Sequence, residues 1–207
     1  PGNIGDENKV KMVADACRKA GVPIRIGVNS GSLEKEILAK YGSVTPEAMV
    51  ESGLYHISLL EKFDFCDIVL SLKSSDTFKM YKAYELAAEK CRYPLHLGVT
   101  EAGTENMGVI KSAAGIGGLL LRGIGNTIRV SLTDDPCKEV EAGKKLLNAI
   151  GFRNDGIKFV SCPTCGRTEI DLIGIAKAAE ERLKDVNKNI LDGMLGLAAG
   201  VMIAVKV

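Results

Sequence analysis

Short apolar runs rich in β-branched residues alternate with stretches of helical periodicity along the first three-quarters of the chain. Runs of this length, apolar at nearly every position, are typical of strands buried on both faces of a parallel sheet. The gaps between them have the spacing of amphipathic helices. The predicted strands are Ile24 to Asn29, Ile68 to Lys73, Leu95 to Thr100, and Ile128 to Leu132.

Helix start signals fall between these runs. Thr45, Asp76 and Asp135 are residue types that cap helix N-termini, and a proline directly after Thr45 and Asp135 suits the first helical position. The predicted helices run from Asp6 to Lys19, from Thr45 to Leu60, from Thr77 to about Cys91, and from Asp135 to about Ile150.

Alternation of strands and helices at this spacing implies right-handed βαβ units, in either an open doubly wound sheet or a closed barrel. Four units make only half of an eight-stranded barrel, and half a barrel leaves two unpaired strand edges. The sequence opens at Pro1 without an initiator methionine or a preceding strand. We therefore expect an α/β fold, the second half of a TIM-type (β/α)8 barrel, whose other strands lie outside this sequence.

The pattern changes after Gly156. Lys158 to Ser161 reads as a new strand, and Ile170 to Val186 as an amphipathic helix. We place the boundary between two domains near residues 153–156, which divides the chain into a barrel part, 1–153, and a second, incomplete α/β part, 154–207. The composition of the last eighteen residues allows strand or helix.

Composition narrows the class of protein. The chain has 46% hydrophobic and 26% charged residues and a net charge of +1, without the basic block typical of nucleic-acid binding. Its most apolar stretch, from Gly193 to Val205, is too short to span a bilayer. No secretory signal is present, so the six cysteines are expected to be reduced thiols or metal ligands. We expect a cytoplasmic protein that binds neither nucleic acid nor membrane.

The predicted strands end in polar or charged groups. Asn29, Lys73, Glu101 and Ser131 lie at or just beyond the four strand ends. Active sites of parallel βα folds gather at the carboxyl ends of the strands. The alternative is that these ends are simply solvated.

Arg25 and Arg129 each interrupt an apolar run. A guanidinium that points into a barrel is costly unless an anion or a carboxylate meets it. With Lys73, the two arginines would form a cationic pocket suited to a phosphate or diphosphate. The alternative is an internal salt bridge, for which Glu101 is a candidate; Glu101 could equally act as an acid, a base or a charge partner.

Cys162 and Cys165 form a CxxC motif in the segment CPTCG. Two thiolates at this spacing can share one metal or cluster. A zinc ribbon would need a second pair, which the sequence lacks. A thioredoxin-type redox pair and a chance CxxC stay open.

The glycine-rich stretch from Gly115 to Gly118 follows helix-forming residues and not a strand. A dinucleotide-binding fingerprint requires a preceding strand. We therefore predict that these glycines serve close packing.

At these same residues the sequence resembles the 4-hydroxy-3-methylbut-2-en-1-yl diphosphate synthase family of the non-mevalonate isoprenoid pathway. The resemblance runs from Pro1 to about Asn189, in several blocks in the family's order. The matching blocks are PGNIG from Pro1, IRIGVN from Ile24 with GSLE from Gly31, PLHLGVTEAG from Pro94, GIG from Gly123 running into RVSL from Arg129, and SCPTCGR from Ser161.

The resemblance implies an oxidoreductase that opens the ring of 2-C-methyl-D-erythritol 2,4-cyclodiphosphate reductively to 4-hydroxy-3-methylbut-2-enyl diphosphate. A 4Fe–4S cluster delivers two electrons from a ferredoxin or flavodoxin, and the family works as a homodimer. Carried over by position, Glu101 is the catalytic carboxylate, and Cys162 and Cys165 are two cluster ligands. The implied substrate contacts are Arg25, Asn29, Lys73, Arg129 and Ser131.

Two departures from the family pattern stand out. The first half of the barrel is absent. The family's third cysteine and its Asn-Gly-Pro-Gly-Glu turn, with the glutamate ligand, are also missing where residues 190–201 stand. We expect the chain alone to bind no complete cluster and to be catalytically silent; stoichiometric four-iron content after anaerobic reconstitution would contradict this. A non-catalytic remnant and a metal-free phosphate-binding barrel enzyme with a structural CxxC are the alternatives.

Overall fold

The computed structural model describes residues 7–154, 158–161, 164, 168–183, 195–196 and 201–204. The chain divides into two compact units, Pro1–Ile150 and Gly151–Val207. None of the helices in the described ranges is both long and apolar enough to cross a membrane.

The first unit alternates strands with helices, as an α/β fold requires. A 3₁₀ turn, Ser30–Ser32, follows the first strand, and a π-helical turn, Ala113–Gly117, joins the fifth and sixth helices. The strands and α-helices of the first unit are α1 Glu7–Ala20, β1 Ile24–Asn29, α2 Lys35–Tyr41, α3 Pro46–Glu61, β2 Ile68–Lys73, α4 Thr77–Lys90, β3 His96–Leu97, α5 Glu105–Ser112, α6 Gly118–Leu121, β4 Thr127–Ile128 and α7 Pro136–Ala149.

The strands of this unit pair in parallel in the order of the sequence. β1 lies beside β2 with Ile24 opposite Ile68 and Asn29 opposite Lys73, and β3 lies beside β4. Parallel neighbours joined by helices are typical of an α/β fold, in which the carboxyl ends of the strands meet at one edge of the sheet.

The hydroxyl of Tyr84 on α4 is inserted between β2 and β3. Leu72 donates its backbone N–H to this oxygen at 2.9 Å, and the hydroxyl donates to the carbonyl of His96 at 2.5 Å. Backbone bridges at Leu70 and Ser74 connect the two strands on either side. The hydroxyl thus replaces one direct backbone hydrogen bond of the ladder, and burial raises the pKa of Tyr84 to about 12.

One face of the strands packs against the helices. Gly53 of α3 lies so close to β2 that a Cβ there would be 3.0 Å from Leu70 Cδ1 and 3.3 Å from Leu72 Cδ2. A Cβ at Gly143 of α7 would lie 3.7 Å from Val130 Cγ2 and 3.8 Å from Ile128 Cδ1, an ordinary van der Waals contact with β4 and the residues after it. Side chains alternate along a strand, so the intervening residues lie on the opposite face.

The three predicted helix caps are confirmed. Thr45 Oγ1 accepts from Ala48 N–H, Asp76 Oδ1 accepts from Lys79 N–H, and Asp135 Oδ1 accepts from the N–H of Cys137. These bonds satisfy backbone donors that have no partner within the helix.

Close packing at the glycine-rich stretch is confirmed too. A Cβ at Gly115 would lie 2.5 Å from Met80 Cε and 3.0 Å from Thr77 Cγ2. The π-helical turn therefore presses its backbone against α4, which only a residue without a side chain permits.

The lengths of two strands were overestimated from the sequence. Regular pairing is limited to His96–Leu97 and Thr127–Ile128, although longer strands were predicted from Leu95 and from Ile128. The Tyr84 hydroxyl interrupts the backbone hydrogen bonds between β2 and β3. The hydrophobic pattern of the sequence does not reveal such an insertion. The sequence also failed to predict α2 and α5, whose few apolar positions give a weak periodic signal.

The second unit contains a three-stranded antiparallel sheet and one helix within its described residues. The predicted strand is confirmed as β5, and the predicted helix is confirmed over 172–183; its last residues lie outside the described ranges. The strand order is β5–β7–β6. The elements are β5 Lys158–Ser161, α8 Leu172–Leu183, β6 Leu195–Gly196 and β7 Val201–Ala204.

Candidate anion-binding site

A set of polar side chains shares the strand face that the helices leave uncovered. Ile26 and Val28 of β1 are buried, whereas the residues that alternate with them are at least partly exposed. The same alternation continues after β4. Val130 is buried, with 4% of its surface exposed, and its neighbours Arg129 and Ser131 are more accessible. We call this surface the open face; it comprises Arg25, Gly27, Asn29, Ser71, Lys73, His96, Gly98, Thr127, Arg129 and Ser131.

Lys73 is the central cation of the open face. Its side chain leans over β1 at Gly27, where a Cβ would lie 3.7 Å from Lys73 Cε and 3.9 Å from its Nζ. Burial lowers the pKa of Lys73, and the charges of Arg129 and Arg25 lower it further. Three cations from β1, β2 and the end of β4 therefore act on one region of space.

A second glycine makes room for Arg129. A Cβ at Gly98 would be 3.1 Å from the carbonyl oxygen of Arg129 and 3.8 Å from its Cβ. Arg129 also donates its backbone N–H to the carbonyl of Leu97 at 2.9 Å, which extends the pairing of β3 with β4. Gly27 thus lets the Lys73 side chain cross β1, and Gly98 lets the backbone of Arg129 approach the chain that follows β3.

No acidic partner neutralises these cations in the part of the chain that the structure describes. Arg25, Lys73 and Arg129 form no ion pair there, and Glu101 forms none either. The internal salt bridge that the sequence left open is therefore not observed. The cations are available to an anion.

The expectation that Arg25 and Arg129 are buried is wrong. Both are exposed, because they belong to the open face, whereas the helices bury the opposite face of their strands. Lys73 is half-buried.

His96 joins this group without having been predicted. Its Nε2 lies 3.2 Å from Arg25 Nη1, and its Nδ1 lies 2.8 Å from Thr127 Oγ1. Burial lowers the pKa of His96, as do the nearby charges of Arg25, Lys73 and Arg129. The available signal was a polar residue within an apolar run, the same signal that Arg25 and Arg129 gave.

Asn29 and Ser131 lie toward the carboxyl ends of their strands. Asn29 is exposed and stands opposite Lys73 in the register of β1 with β2. Ser131 follows Arg129 by two residues and so shares its face. The structure brings four of the predicted substrate contacts onto one surface, with Ser131 placed there by alternation.

Glu101 has an unusual backbone conformation just after β3. It is exposed and has a φ of +52°, a region that residues with a Cβ rarely adopt. Asp64 also has a positive φ, but it lies in the turn that follows the C-terminus of α3, where left-handed residues are common. Glu101 has no such role at a helix end, and strain of this kind clusters at functional sites.

The predicted cluster ligands Cys162 and Cys165 lie outside the described residues. The other four cysteines are free thiols, with Cys137 exposed in the first turn of α7. Across the described residues, no three His, Cys, Asp or Glu side chains form a group that could hold a metal ion.

Two surface pockets lie away from the open face. One, of about 250 Å³, is lined by residues that precede β2, including Asp64 and Cys66; the other, of about 260 Å³, includes Cys91 and Tyr93 ahead of β3. Both lie toward the amino ends of the strands, the edge opposite to the one where active sites of this fold form.

Comparisons with known proteins point to one family. Residues 1–144 match the model of the GcpE TIM-barrel domain, and residues 158–199 match that of the GcpE protein C-terminal domain. A curated protein of Clostridium perfringens named 4-hydroxy-3-methylbut-2-en-1-yl diphosphate synthase (flavodoxin) is 59% identical over 196 residues, which are 95% of this chain and 56% of that protein.

Other curated relatives have the same name. The protein of Clostridium tetani is 57% identical over 95% of this chain and 56% of its own length. That of Fusobacterium nucleatum is 56% identical over 89% of this chain and 52% of its own length. The chain thus spans about half the length of the curated relatives it matches.

Proposed function

Since this chain belongs to the GcpE family, we propose that it forms part of a 4-hydroxy-3-methylbut-2-en-1-yl diphosphate synthase. The reaction is the reductive ring opening of 2-C-methyl-D-erythritol 2,4-cyclodiphosphate in the non-mevalonate pathway. The open face supplies a binding surface for the diphosphate of this substrate.

The observation that supports this proposal most is the convergence of three cations that form no ion pair with any residue in the described ranges. Arg25 and Arg129 lower the pKa of Lys73 because their charges repel its ammonium group. A diphosphate placed among them relieves this repulsion and gives both guanidinium groups oxygens to which they can donate two hydrogen bonds each. Asn29 and Ser131 add neutral hydrogen-bonding groups at the same edge.

The same cations favour the product over the cyclic substrate. The complete reaction consumes two protons and two electrons from the proposed flavodoxin or ferredoxin donor and releases one water. When the ring opens at a carbon–oxygen bond, the phosphate oxygen keeps the bonding electron pair and gains negative charge. Fixed cations that stabilise charge as it develops lower the barrier of such a step. Glu101, held in a strained conformation just beyond β3, is the catalytic carboxylate in this proposal, positioned to act as an acid, a base or a charge partner.

The cofactor that the family resemblance implies is a 4Fe–4S cluster, which takes four ligands. This chain offers the Cys162–Cys165 pair as two of them, and residues 190–201 contain neither cysteine nor glutamate. The donor set is incomplete, so we assign no step to the cluster and restrict the mechanism to what the open face does.

The domain arrangement that we propose follows the family. Residues 1–153 form the second half of a TIM-type barrel, and residues 154–207 belong to an iron–sulfur domain; the division of the chain into compact units after Ile150 supports this arrangement. The proposed electron donor is a flavodoxin or ferredoxin, the proposed assembly is a homodimer, and the cytoplasmic location stays a prediction.

The substitution Arg129→Met tests the binding function. It removes one of three cations from an exposed position, so we expect affinity for the cyclodiphosphate to fall at least about tenfold, as for loss of a charge-assisted hydrogen bond, while the far-ultraviolet circular dichroism spectrum stays unchanged. Isothermal titration calorimetry of the chain measures both affinities.

The matched control is Arg92→Met. Arg92 is exposed and precedes β3, at the opposite ends of the strands. Its loss should leave the affinity unchanged. Equal affinity of wild type and Arg129→Met, or equal losses in both variants, would count against a diphosphate site on the open face.

A further inference from the structure

The imidazole of His96 is a fixed neutral acceptor beside Arg25. An arginine guanidinium has only donors, so its contact with Nε2 requires that nitrogen to accept. The hydrogen of the neutral ring must then lie on Nδ1, which donates to Thr127 Oγ1 at 2.8 Å. The two contacts together define one tautomer and one ring orientation.

The backbone of His96 is equally well held. It pairs with Thr127 in the register of β3 with β4, and its carbonyl accepts the hydroxyl of Tyr84. The residue as a whole is 9% exposed, so few other rotamers are open to its side chain. His96 therefore presents Nε2 to the open face from a rigid position.

A neutral partner has an advantage that a carboxylate lacks. An aspartate or glutamate would orient Arg25 as firmly, but it would also cancel the positive charge that an anionic ligand needs. An imidazole fixes the guanidinium and leaves its charge intact.

We propose that His96 is a positioning residue that aims the guanidinium of Arg25 at the diphosphate of the ligand while leaving its charge available. This inference rests on the proposed function. It assigns His96 no contact with the substrate and no part in the proton transfers.

The charges around His96 favour its neutral form. Arg25 on β1, Lys73 on β2 and Arg129 beyond β4 all face it, and among the residues that the structure describes no carboxylate pairs with it. Burial together with these cations lowers its pKa from the ordinary value. The acceptor role of Nε2 therefore persists to more acidic pH than for a solvated histidine.

Three substitutions at this position separate orientation from packing. In His96→Gln a neutral acceptor remains, and we expect affinity for 2-C-methyl-D-erythritol 2,4-cyclodiphosphate within about threefold of wild type. In His96→Leu the acceptor is lost, and preorganisation of Arg25 with it, so affinity falls about tenfold. In His96→Glu the acceptor is charged and competes with the ligand, so affinity falls further.

A role in packing alone predicts a different order. The apolar His96→Leu would then bind the cyclodiphosphate as wild type does, and the polar substitutions would be the damaging ones. That order, measured by calorimetry on the 207-residue chain, overturns the inference. If the wild-type chain itself fails to bind the cyclodiphosphate, the proposed function is contradicted. If wild type and His96→Leu bind it equally well, only the positioning role of His96 is contradicted.

The tautomer can be measured without any ligand or substitution at His96. The sequence has two histidines, so His56→Gln leaves one imidazole to observe by ¹⁵N nuclear magnetic resonance. We expect the hydrogen on Nδ1 and a neutral ring at pH 7, with protonation only below the ordinary range near pH 6.5. A hydrogen on Nε2, or an imidazolium at pH 7, would overturn the positioning role whatever the ligand proves to be.

Discussion

At the scale of single residues, the open face concentrates positive charge with which no carboxylate of the described residues pairs. Lys73 shows the cost most clearly, because burial and two guanidinium groups all disfavour its charged form. Such unrelieved repulsion is common at sites that bind charged ligands, where stability is exchanged for function.

Replacement of Lys73 by methionine should therefore stabilise the fold while it weakens ligand binding. The folded-state pKa of Lys73 lies below that of the unfolded chain, so the charged form lowers the free energy of unfolding at neutral pH. This decrease in the free energy of unfolding disappears as the pH rises through the folded-state pKa, because the amine of the folded protein then loses its charge. We expect Lys73→Met to raise the free energy of unfolding at pH 7 by less than about 1 kcal/mol, since solvent screens a half-exposed charge.

Urea denaturation followed by circular dichroism measures this change. The control is Lys35→Met, at an exposed position on α2, which should change the free energy of unfolding only marginally. The gain at Lys73 should shrink with added salt. A destabilised Lys73→Met with unchanged affinity for the cyclodiphosphate would show that the ammonium serves structure.

At the scale of secondary-structure elements, Tyr84 connects α4 to the seam between β2 and β3. Its hydroxyl is the only link described between the N–H of Leu72 and the carbonyl of His96. Helix packing and the position of His96 thereby depend on one buried side chain.

The substitution Tyr84→Phe tests this connection. It leaves a backbone donor and acceptor without their partner in a buried environment, which costs about 1–3 kcal/mol in free energy of unfolding. Tyr55→Phe is the matched control, because Tyr55 is half-exposed, and its effect should stay within about 0.5 kcal/mol. Equal effects would mean that β2 and β3 close the gap and pair directly.

The sequence predicted these elements unequally well, for physical reasons. β1 and β2 were correct to the residue, because their apolar runs are bounded by polar ends and pair along their whole length. β3 was predicted too long, because the Tyr84 hydroxyl that interrupts its pairing with β2 comes from another element. β4 was predicted at 128–132, whereas regular pairing is confined to Thr127–Ile128. Arg25 and Arg129 were recognised from the sequence and lie on the strand face opposite the helices, but they are exposed and not buried as predicted. His96 was missed because its role depends on pairing with Thr127, which only the fold brings about.

At the scale of the whole molecule, the two units divide the proposed chemistry. The first unit holds the open face, and the second contains the CxxC motif, which lies outside the described residues. The chain spans only about half the length of the curated relatives it matches. The property of this chain that can be tested by itself is therefore its binding of the diphosphate.

The pKa of the Lys73 ammonium group, measured by nuclear magnetic resonance with and without the cyclodiphosphate, tests that recognition most directly. We predict a value below the ordinary 10.5 in the free chain and a rise on saturation, because the bound phosphates stabilise the charged ammonium. A Lys73 that titrates normally in the free chain, or whose pKa is the same with saturating ligand, would contradict the proposal that the open face binds the diphosphate.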